Sequence, residues 1–313
     1  MRAMKDLCTA LKNNFTIVNL GCIGDTDFLL PKNILQTLTV VEVDAEGGAV
    51  TGDRYHRKIC IRQPIAGQTG KRIFRRNSFA GTCSLLEPLD GIVEAYGMER
   101  YCQLVERVAI DCDTLPNLLH AHQIRSLDFL KTDVEGLDSE IIQSCAEYLG
   151  KTHMIQCELR FAPFYQTEPF FHETVNLLAA YGYEVLDIPY IDRWRYKTPH
   201  RHFQVQGRAV WADFLFVLRP DRLAATFGEA LPEAVSKQVI LACMLGKKNY
   251  GEYVLNKFAH MLPVDWFQEL EPLTKPSFPG ICPFLSSVRR RTLRSLELFL
   301  KHQIGRSEFV SIH

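Results

Sequence analysis

Hydrophobic positions along the chain fall into short continuous runs, separated by polar stretches and by stretches of helical period. The runs have the length of strands, and seven of them are found at 15–20, 38–44, 59–61, 129–132, 154–158, 183–188 and 211–218. Short apolar runs bounded by turn residues are typical of strands that are buried on both faces. The pattern therefore predicts a largely buried sheet of seven strands.

Two stretches between these strands repeat apolar residues with the period of an amphipathic helix. The first follows the fourth strand and places on one face Leu137, Ile141, Ile142, Cys145 and Leu149. The second precedes the sixth strand and places on one face Phe171, Val175, Leu178 and Tyr181. Alternating strands and helices predict parallel strands joined by right-handed crossovers. The polar segment 189–208 has no helical period, which predicts an antiparallel last strand.

The character of the chain changes after Pro220. Helical periods continue over 232–245, 250–262 and 284–304, with prolines between them. For a chain of 313 residues, one large domain with an appendage is the natural arrangement. We expect an α/β domain over 1–220 and a helical C-terminal extension over 221–313.

Charge and cysteine content narrow the functional classes. The chain has 36 basic and 36 acidic side chains, and this balance argues against nucleic acid as the main partner. Its 10 cysteines stand singly, without a CxxC pair or zinc-ligand spacing, which is typical of reduced thiols. The start of the chain lacks the apolar core of a signal peptide, and no apolar run has the length of a membrane span. We expect a cytoplasmic protein.

Two acids directly follow the fourth strand. Asp133 and Glu135 come just after 129–132, and Gly136 precedes the next helix. Burying carboxylates at a strand end is unfavourable unless they contact a ligand, a metal or a helix N-terminus. In open α/β sheets, ligands bind at the carboxyl edge of the strands. The segment therefore predicts a binding site at this edge.

A glycine turn and further acids follow the first two strands. The turn Asn19-x-Gly21-x-x-Gly24 lets a ligand approach the backbone closely, although a purely structural turn has the same pattern. Glu42 lies 18 residues beyond Gly24, near the spacing of acids that bind ribose hydroxyls. Asp44 competes with Glu42 for that role, and solvated acids at a strand end are the alternative explanation for both.

The turn distinguishes between nucleotide-bearing cofactors. Dinucleotide-binding folds use G-x-G-x-x-G to bring backbone N–H groups to a pyrophosphate, and here Asn19 stands in place of the first glycine. S-adenosylmethionine has an adenosine and no phosphate, so one glycine turn and a ribose-binding acid suffice. Nearby acids complement its amino group and sulfonium cation. The residues therefore favour S-adenosylmethionine as the cofactor.

The segment 129–136 reads Phe-Leu-Lys-Thr-Asp-Val-Glu-Gly and resembles the signature of the FkbM-type S-adenosylmethionine-dependent methyltransferases. Supporting similarity is found at 108–115, 77–86 and 41–44, so the resemblance covers about residues 15–220. It implies a class I methyltransferase-like (Rossmann-like) sheet of seven strands, mostly parallel, with an antiparallel last strand. It also implies methyl transfer to a hydroxyl of a sugar, glycan, lipid or polyketide-like acceptor.

Three acids are candidates for catalysis. Asp133 is the first candidate for a base or a cofactor orienter, and Glu135 and Glu158 follow it. The residues expected to bind the cofactor are Asn19, Gly21, Gly24, Glu42, Asp44 and Asp133. In the alternative structural roles, Asp133 caps the following helix and Glu135 is stabilised by the helix dipole. The three acids could also hold a divalent cation, although we expect no metal.

Two other functions compete with an active methyltransferase. The family usually has Asp where this chain has Asn19, and an amide makes a weaker contact with the cofactor's amino group. This departure favours a methyltransferase-like binding or scaffold protein without turnover. A nicotinamide-dependent oxidoreductase is the third class, and the missing glycine and the antiparallel last strand speak against it. The expected partner is a small-molecule or glycan acceptor.

Overall fold

The computed structural model describes residues 6–12, 14–21, 30–44, 54–199 and 207–276. Within them the strands are β1 (Phe15–Leu20), β2 (Leu38–Asp44), β3 (Arg57–Arg62), β4 (Gly70–Asn77), β5 (Leu104–Cys112), β6 (Phe129–Thr132), β7 (Met154–Arg160), β8 (Tyr183–Trp194) and β9 (Arg208–Leu218). Gly24 of the expected turn and the expected helix over 284–304 lie outside the described residues.

The helices in the same ranges are α1 (Leu7–Leu11), α2 (Lys32–Leu35), α3 (Asp90–Tyr96), α4 (Leu115–Ala121), α5 (Asp138–Ser144), α6 (Ala146–Leu149), α7 (Phe171–Ala180), α8 (Pro220–Phe227), α9 (Leu231–Met244), α10 (Lys248–Lys257) and α11 (Val264–Thr274). None of these helices combines the length and the apolar character that crossing a bilayer requires.

Seven strands form one sheet in the order β3-β2-β1-β6-β7-β9-β8. The pairs from β3 to β7 are parallel, and β9 runs antiparallel between β7 and β8. The mostly parallel sheet with an antiparallel last strand is therefore confirmed. Strand order reverses between β1 and β6, and such a switch point opens a crevice at the carboxyl ends of the two strands.

The central strands are buried because their side chains are apolar on both faces. Every residue of β1 is buried, and β2 is buried from Leu38 to Val43. The pairing register of the strands determines which side chains lie at the carboxyl edge. Asn19 of β1 pairs with Glu42 of β2 on one side and with Lys131 of β6 on the other. Polar residues of three adjacent strands thus meet beside the switch point.

Three features of the fold differ from the sequence expectation. Strands β4 and β5 form a separate antiparallel ribbon, where the sequence showed a polar stretch rich in Gly, Lys and Arg. The expected helix over 137–149 breaks at Cys145 into α5 and α6. The sixth strand is also longer than expected, because β8 continues through Pro189 to Trp194. It is the last strand in the order, and an edge position tolerates a proline that donates no hydrogen bond.

Helices α8 to α11 pack against the same hydrophobic core as the sheet. Leu223, Val235 and Leu270 belong to the continuous buried cluster that includes Phe15 and Leu218. The helical character expected beyond residue 220 is thus observed up to Thr274. The division into domains at 220 and 221 stays a prediction.

Candidate functional site

The turn after β1 touches the end of β6 at the switch point. Gly21 has a φ of +70°, and a Cβ at this position would lie 2.0 Å from the backbone oxygen of Asp133. Its N–H donates to the carbonyl oxygen of Val43 at 3.1 Å, so the turn is also tied to β2. Only glycine combines this left-handed backbone with this close approach. The ends of three strands are therefore held together here.

The backbone after β6 turns sharply at the two acids. Glu135 has a φ of +51° and Gly136 a φ of +91°. A left-handed backbone is unusual for a non-glycine residue, and such conformations concentrate at functional sites. The Ser84 hydroxyl donates to the carbonyl oxygen of Glu135 at 2.7 Å and holds the turn. Asp133 Oδ2 lies 3.8 Å from Lys131 Nζ at the rim of the crevice.

Arg160 joins three carboxylates into one buried cluster. Its Nη2 lies 2.8 Å from Glu158 Oε1 and 3.1 Å from Glu135 Oε2, and its Nε lies 3.1 Å from Glu168 Oε1. The Tyr165 hydroxyl donates to Glu135 Oε2 at 3.2 Å. We name these five residues the Arg160 cluster. Sequence reasoning found Glu135 and Glu158 but missed Arg160, Tyr165 and Glu168.

The cluster perturbs the protonation of its carboxyl groups. Burial raises the pKa of Glu135 to about 8, and this outweighs the opposing effect of Arg160. Burial also raises the pKa of Glu158 well above its usual range. One guanidinium faces three carboxyl groups, so a single cation cannot balance them if all are ionised. Glu135 and Glu158 therefore take up protons more readily than ordinary glutamates.

Accessibility separates the candidate acids. The side chains of Asp133 and Glu135 are 31% and 23% exposed, whereas that of Glu158 is 8% exposed. Glu168 is more deeply buried and accepts hydrogen bonds from the backbone N–H groups of Phe164 and Tyr165. A bound molecule in the crevice can therefore reach Asp133 and Glu135, while Glu158 and Glu168 hold Arg160 from behind.

Asp138 is a further buried acid that sequence reasoning did not single out. It opens α5, and the N–H of Val134 donates to its Oδ2 at 3.4 Å. Burial raises its pKa to about 7, and the charge of Asp133 adds to the effect. The sequence contained a signal for Asp138. Asp133 follows a strand and Asp138 opens the next helix, so both carboxyl groups are expected at the same edge of the sheet.

The acids of the second strand have different surroundings. Glu42 is buried, and its Oε2 lies 3.2 Å from Lys58 Nζ and 3.7 Å from the Cys60 thiol, which donates to it. Asp44 is half-buried at the end of β2. Asn19 is buried beside Glu42 in register. The structure thus brings Asn19, Gly21 and Glu42 to one edge, and their role in binding a cofactor stays a prediction.

The described parts of the chain contain no group of three or more His, Cys, Asp or Glu side chains arranged to hold a metal ion. At the carboxyl edge, the guanidinium of Arg160 lies between Glu135 and Glu158 and supplies a positive charge there. The arrangement suits proton transfer and the binding of a polar or cationic molecule.

Comparison with known proteins gives one match. A family model described as the methyltransferase FkbM domain matches residues 86–185, roughly a third of the chain. The match includes Asp133, Glu135 and the rest of the Arg160 cluster. The search of curated proteins found no match, and neither did the search of solved structures. For residues 86–185, the family model confirms the resemblance to the FkbM-type methyltransferases.

Proposed function

We propose that the protein is an S-adenosylmethionine-dependent O-methyltransferase that acts on a hydroxyl of a sugar, glycan, lipid or polyketide-like acceptor. The observation that carries the proposal is the close approach of Gly21 to Asp133 beside the Arg160 cluster. It lies at the switch point of the sheet, where open α/β folds bind their ligands. The family match to a methyltransferase domain supports the same reaction class.

The cofactor would lie across the ends of β1 and β2. Gly21 leaves room for it next to the backbone, and Asn19 and Asp133 would contact its amino group. Glu42 is our first choice for the ribose hydroxyls, and Asp44 is the alternative. Lys58 fixes the Glu42 carboxylate in place, so the ribose would meet a positioned acceptor. Gly24 completes the proposed set.

When bound, the sulfonium supplies an electrophilic methyl group. The acceptor oxygen would take this methyl group, and the electron pair of the broken carbon–sulfur bond would stay on sulfur in S-adenosylhomocysteine. The hydroxyl proton passes to a carboxylate. Asp133 and Glu135 are accessible for this step, and the raised pKa of Glu135 suits a base that works near neutral pH.

Arg160 and Glu158 would act through Glu135. The guanidinium holds the Glu135 carboxylate at 3.1 Å and balances the charge that forms when its proton leaves. Positioning of the acceptor oxygen against the methyl carbon supplies much of the rate in such a transfer. We therefore assign Arg160 and Glu158 as positioning residues, and Asp133 and Glu135 as the acids that meet the reactants.

Release of S-adenosylhomocysteine tests the proposal. The full chain is incubated with S-adenosylmethionine and a panel of sugars, lipids and polyketide-like hydroxy compounds. We expect turnover with one acceptor class, and we expect Asp133→Ala to abolish it. Asp221→Asn, which changes an exposed acid of α8, is the matched control and should leave turnover unchanged. Unchanged turnover in Asp133→Ala would remove this residue from the site.

Asn19 favours a second candidate, a methyltransferase-like binding or scaffold protein without turnover. Saturable binding of S-adenosylmethionine with no product from any acceptor would support it. A nicotinamide-dependent oxidoreductase is the weakest candidate, and tight binding of NADH with hydride transfer would establish it. We also infer a cytoplasmic location, which the free thiols of the eight described cysteines support.

A further inference from the structure

A second cavity lies at the opposite edge of the sheet, at the amino ends of β1, β6 and β7. Its volume is about 680 Å³, within the range of small-molecule sites. Asp128 in its lining is five residues from Asp133 along β6, which is about 17 Å at the rise of a strand. This cavity has no part in the proposed methyl transfer, and an inference about it does not rest on that proposal.

The floor of the cavity is polar and buried. Lys237 Nζ lies 2.8 Å from Asp128 Oδ1, and the side chains of both residues are nearly inaccessible to solvent. The N–H of Thr16 donates to Asp128 Oδ2 at 2.7 Å, and Lys237 also donates to the backbone oxygen of Asn14. An ammonium group has three donors, and besides these two acceptors Lys237 Nζ lies over the Phe15 ring, 5.8 Å from its centroid.

His153 adds a second group to the floor. It is completely buried, and burial lowers its pKa to about 4, so the imidazole is neutral near pH 7. Its Nε2 lies 3.6 Å from Asp128 Oδ1, which is longer than a hydrogen bond. Among the described residues, no partner reaches either ring nitrogen in hydrogen-bonding geometry. The side chain of Gln238 acts to raise the pKa of the imidazole, but it does not reach that geometry either. Buried polar groups of this kind are rare without a partner.

The walls of the cavity are aromatic. Phe227 stacks on His153, with ring centroids 5.2 Å apart and an interplanar angle of 10°. Tyr148 and His120 line another wall, with their centroids 6.3 Å apart. Flat rings around a polar floor favour a planar ligand, because stacking adds to the area that the ligand buries.

The charges of the lining balance one another. Arg125, Lys151 and Lys237 are matched in number by the acids of the lining, which are Asp128, Glu147 and Glu233. Lys237 is paired with Asp128, and Glu147 lies 3.7 Å from His120. A charged ligand would bring an uncompensated charge onto a buried floor, which is unfavourable. The floor therefore suits an uncharged molecule that offers both a donor and an acceptor.

We propose that this cavity binds a small, uncharged, planar heterocycle of the nucleobase or nicotinamide type. The ring would stack against Phe227 or Tyr148. The ring nitrogens of His153 would bond its polar edge, which satisfies the buried imidazole.

Binding of uracil and nicotinamide to the full chain tests the proposal, measured by ligand-observed NMR. Benzoate and benzamidine serve as charged comparators of similar size. Ala230→Trp fills the cavity from an exposed position of its lining, and Ala225→Trp is the matched control on an exposed position of α8 outside it. We expect saturable binding of at least one neutral probe, weakened about tenfold or more in Ala230→Trp and unchanged in Ala225→Trp.

Three results would overturn the proposal: no saturable binding of either neutral probe, equally tight binding of a charged comparator, or unchanged affinity in Ala230→Trp. If Ala230→Trp does not fold, the variant His153→Phe provides a second test of the proposal. It keeps the stacked ring against Phe227 and removes both nitrogens, so it should weaken binding, and unchanged affinity would contradict the assigned contact.

Discussion

Replacing Lys237 by Met should destabilise the protein by about 3–5 kcal/mol, because Asp128 then stays buried without its counter-ion. Both side chains are almost fully buried, and 2.8 Å separates the ammonium from the carboxylate. Met keeps most of the apolar stem of Lys237. The change therefore removes the charge and leaves the packing of α9 against the sheet.

The size of the effect follows from what Asp128 retains. The N–H of Thr16 still donates to Oδ2, which limits the loss. The backbone oxygen of Asn14 also loses a donor, but Asn14 is exposed, so water can replace that donor at little cost. The double variant Asp128→Asn/Lys237→Met removes both charges, and it should recover most of the loss, since replacing a whole buried pair is often nearly neutral.

Urea unfolding followed by tryptophan fluorescence measures these free energies by linear extrapolation. Lys257→Met, at an exposed position of α10 in the same extension, is the control and should change stability by no more than about 0.5 kcal/mol. If Lys237→Met lies within about 1 kcal/mol of the wild type, or if the double variant is no more stable than the single one, then Lys237 does not offset the burial of the Asp128 carboxylate.

Three further predictions concern the carboxyl edge. If Glu135 is the base, kcat/KM for S-adenosylhomocysteine release rises with pH up to about 8. Glu135→Gln should lower kcat about 100-fold or more and remove this rise. A pH profile that is unchanged in the variant would exclude the role. Asp138 has a raised pKa, so its native state binds the proton more tightly than the unfolded chain, and its contribution to stability is lost as pH rises through about 7. Asp138→Asn should therefore be more stable than the wild type at pH 8 by about 2–4 kcal/mol and similar to it near pH 4. If urea unfolding gives the same difference in free energy between the two proteins at both pH values, the prediction is contradicted. Gly21→Ala should lower stability by about 1–2 kcal/mol or more and weaken S-adenosylmethionine binding, while Gly91→Ala, where a Cβ meets nothing, should do neither in the same titrations.

The sheet was predictable because its central strands are continuous apolar runs. The run at 38–44, for example, is β2 with the same bounds. The β4–β5 ribbon could not be found in this way, because its residues are mostly exposed or half-buried and give no apolar run. Pro189 and the polar residues around it hid the second half of β8, since an edge strand needs neither continuous burial nor a full set of N–H donors.

The site was predictable as far as strand ends determine it. Parallel strands bring their carboxyl ends to one edge, so Asp133, Glu135 and Glu158 could be expected to lie close together, and Glu135 and Glu158 do meet at Arg160 Nη2. Arg160 ends β7 at the same edge, but its pairing with Glu135, 25 residues away through the sheet, was missed because no local period encodes that contact. The pairing of Lys58 with Glu42 was missed for the same reason.

Isothermal calorimetry with S-adenosylmethionine tests the central claim most directly. We predict saturable, one-to-one binding to the full chain, weaker in Gly21→Ala and unchanged in Gly91→Ala, because the cofactor would lie against the turn that Gly21 opens. Absence of binding at roughly millimolar cofactor, about the weak limit of a specific site, would contradict the claim.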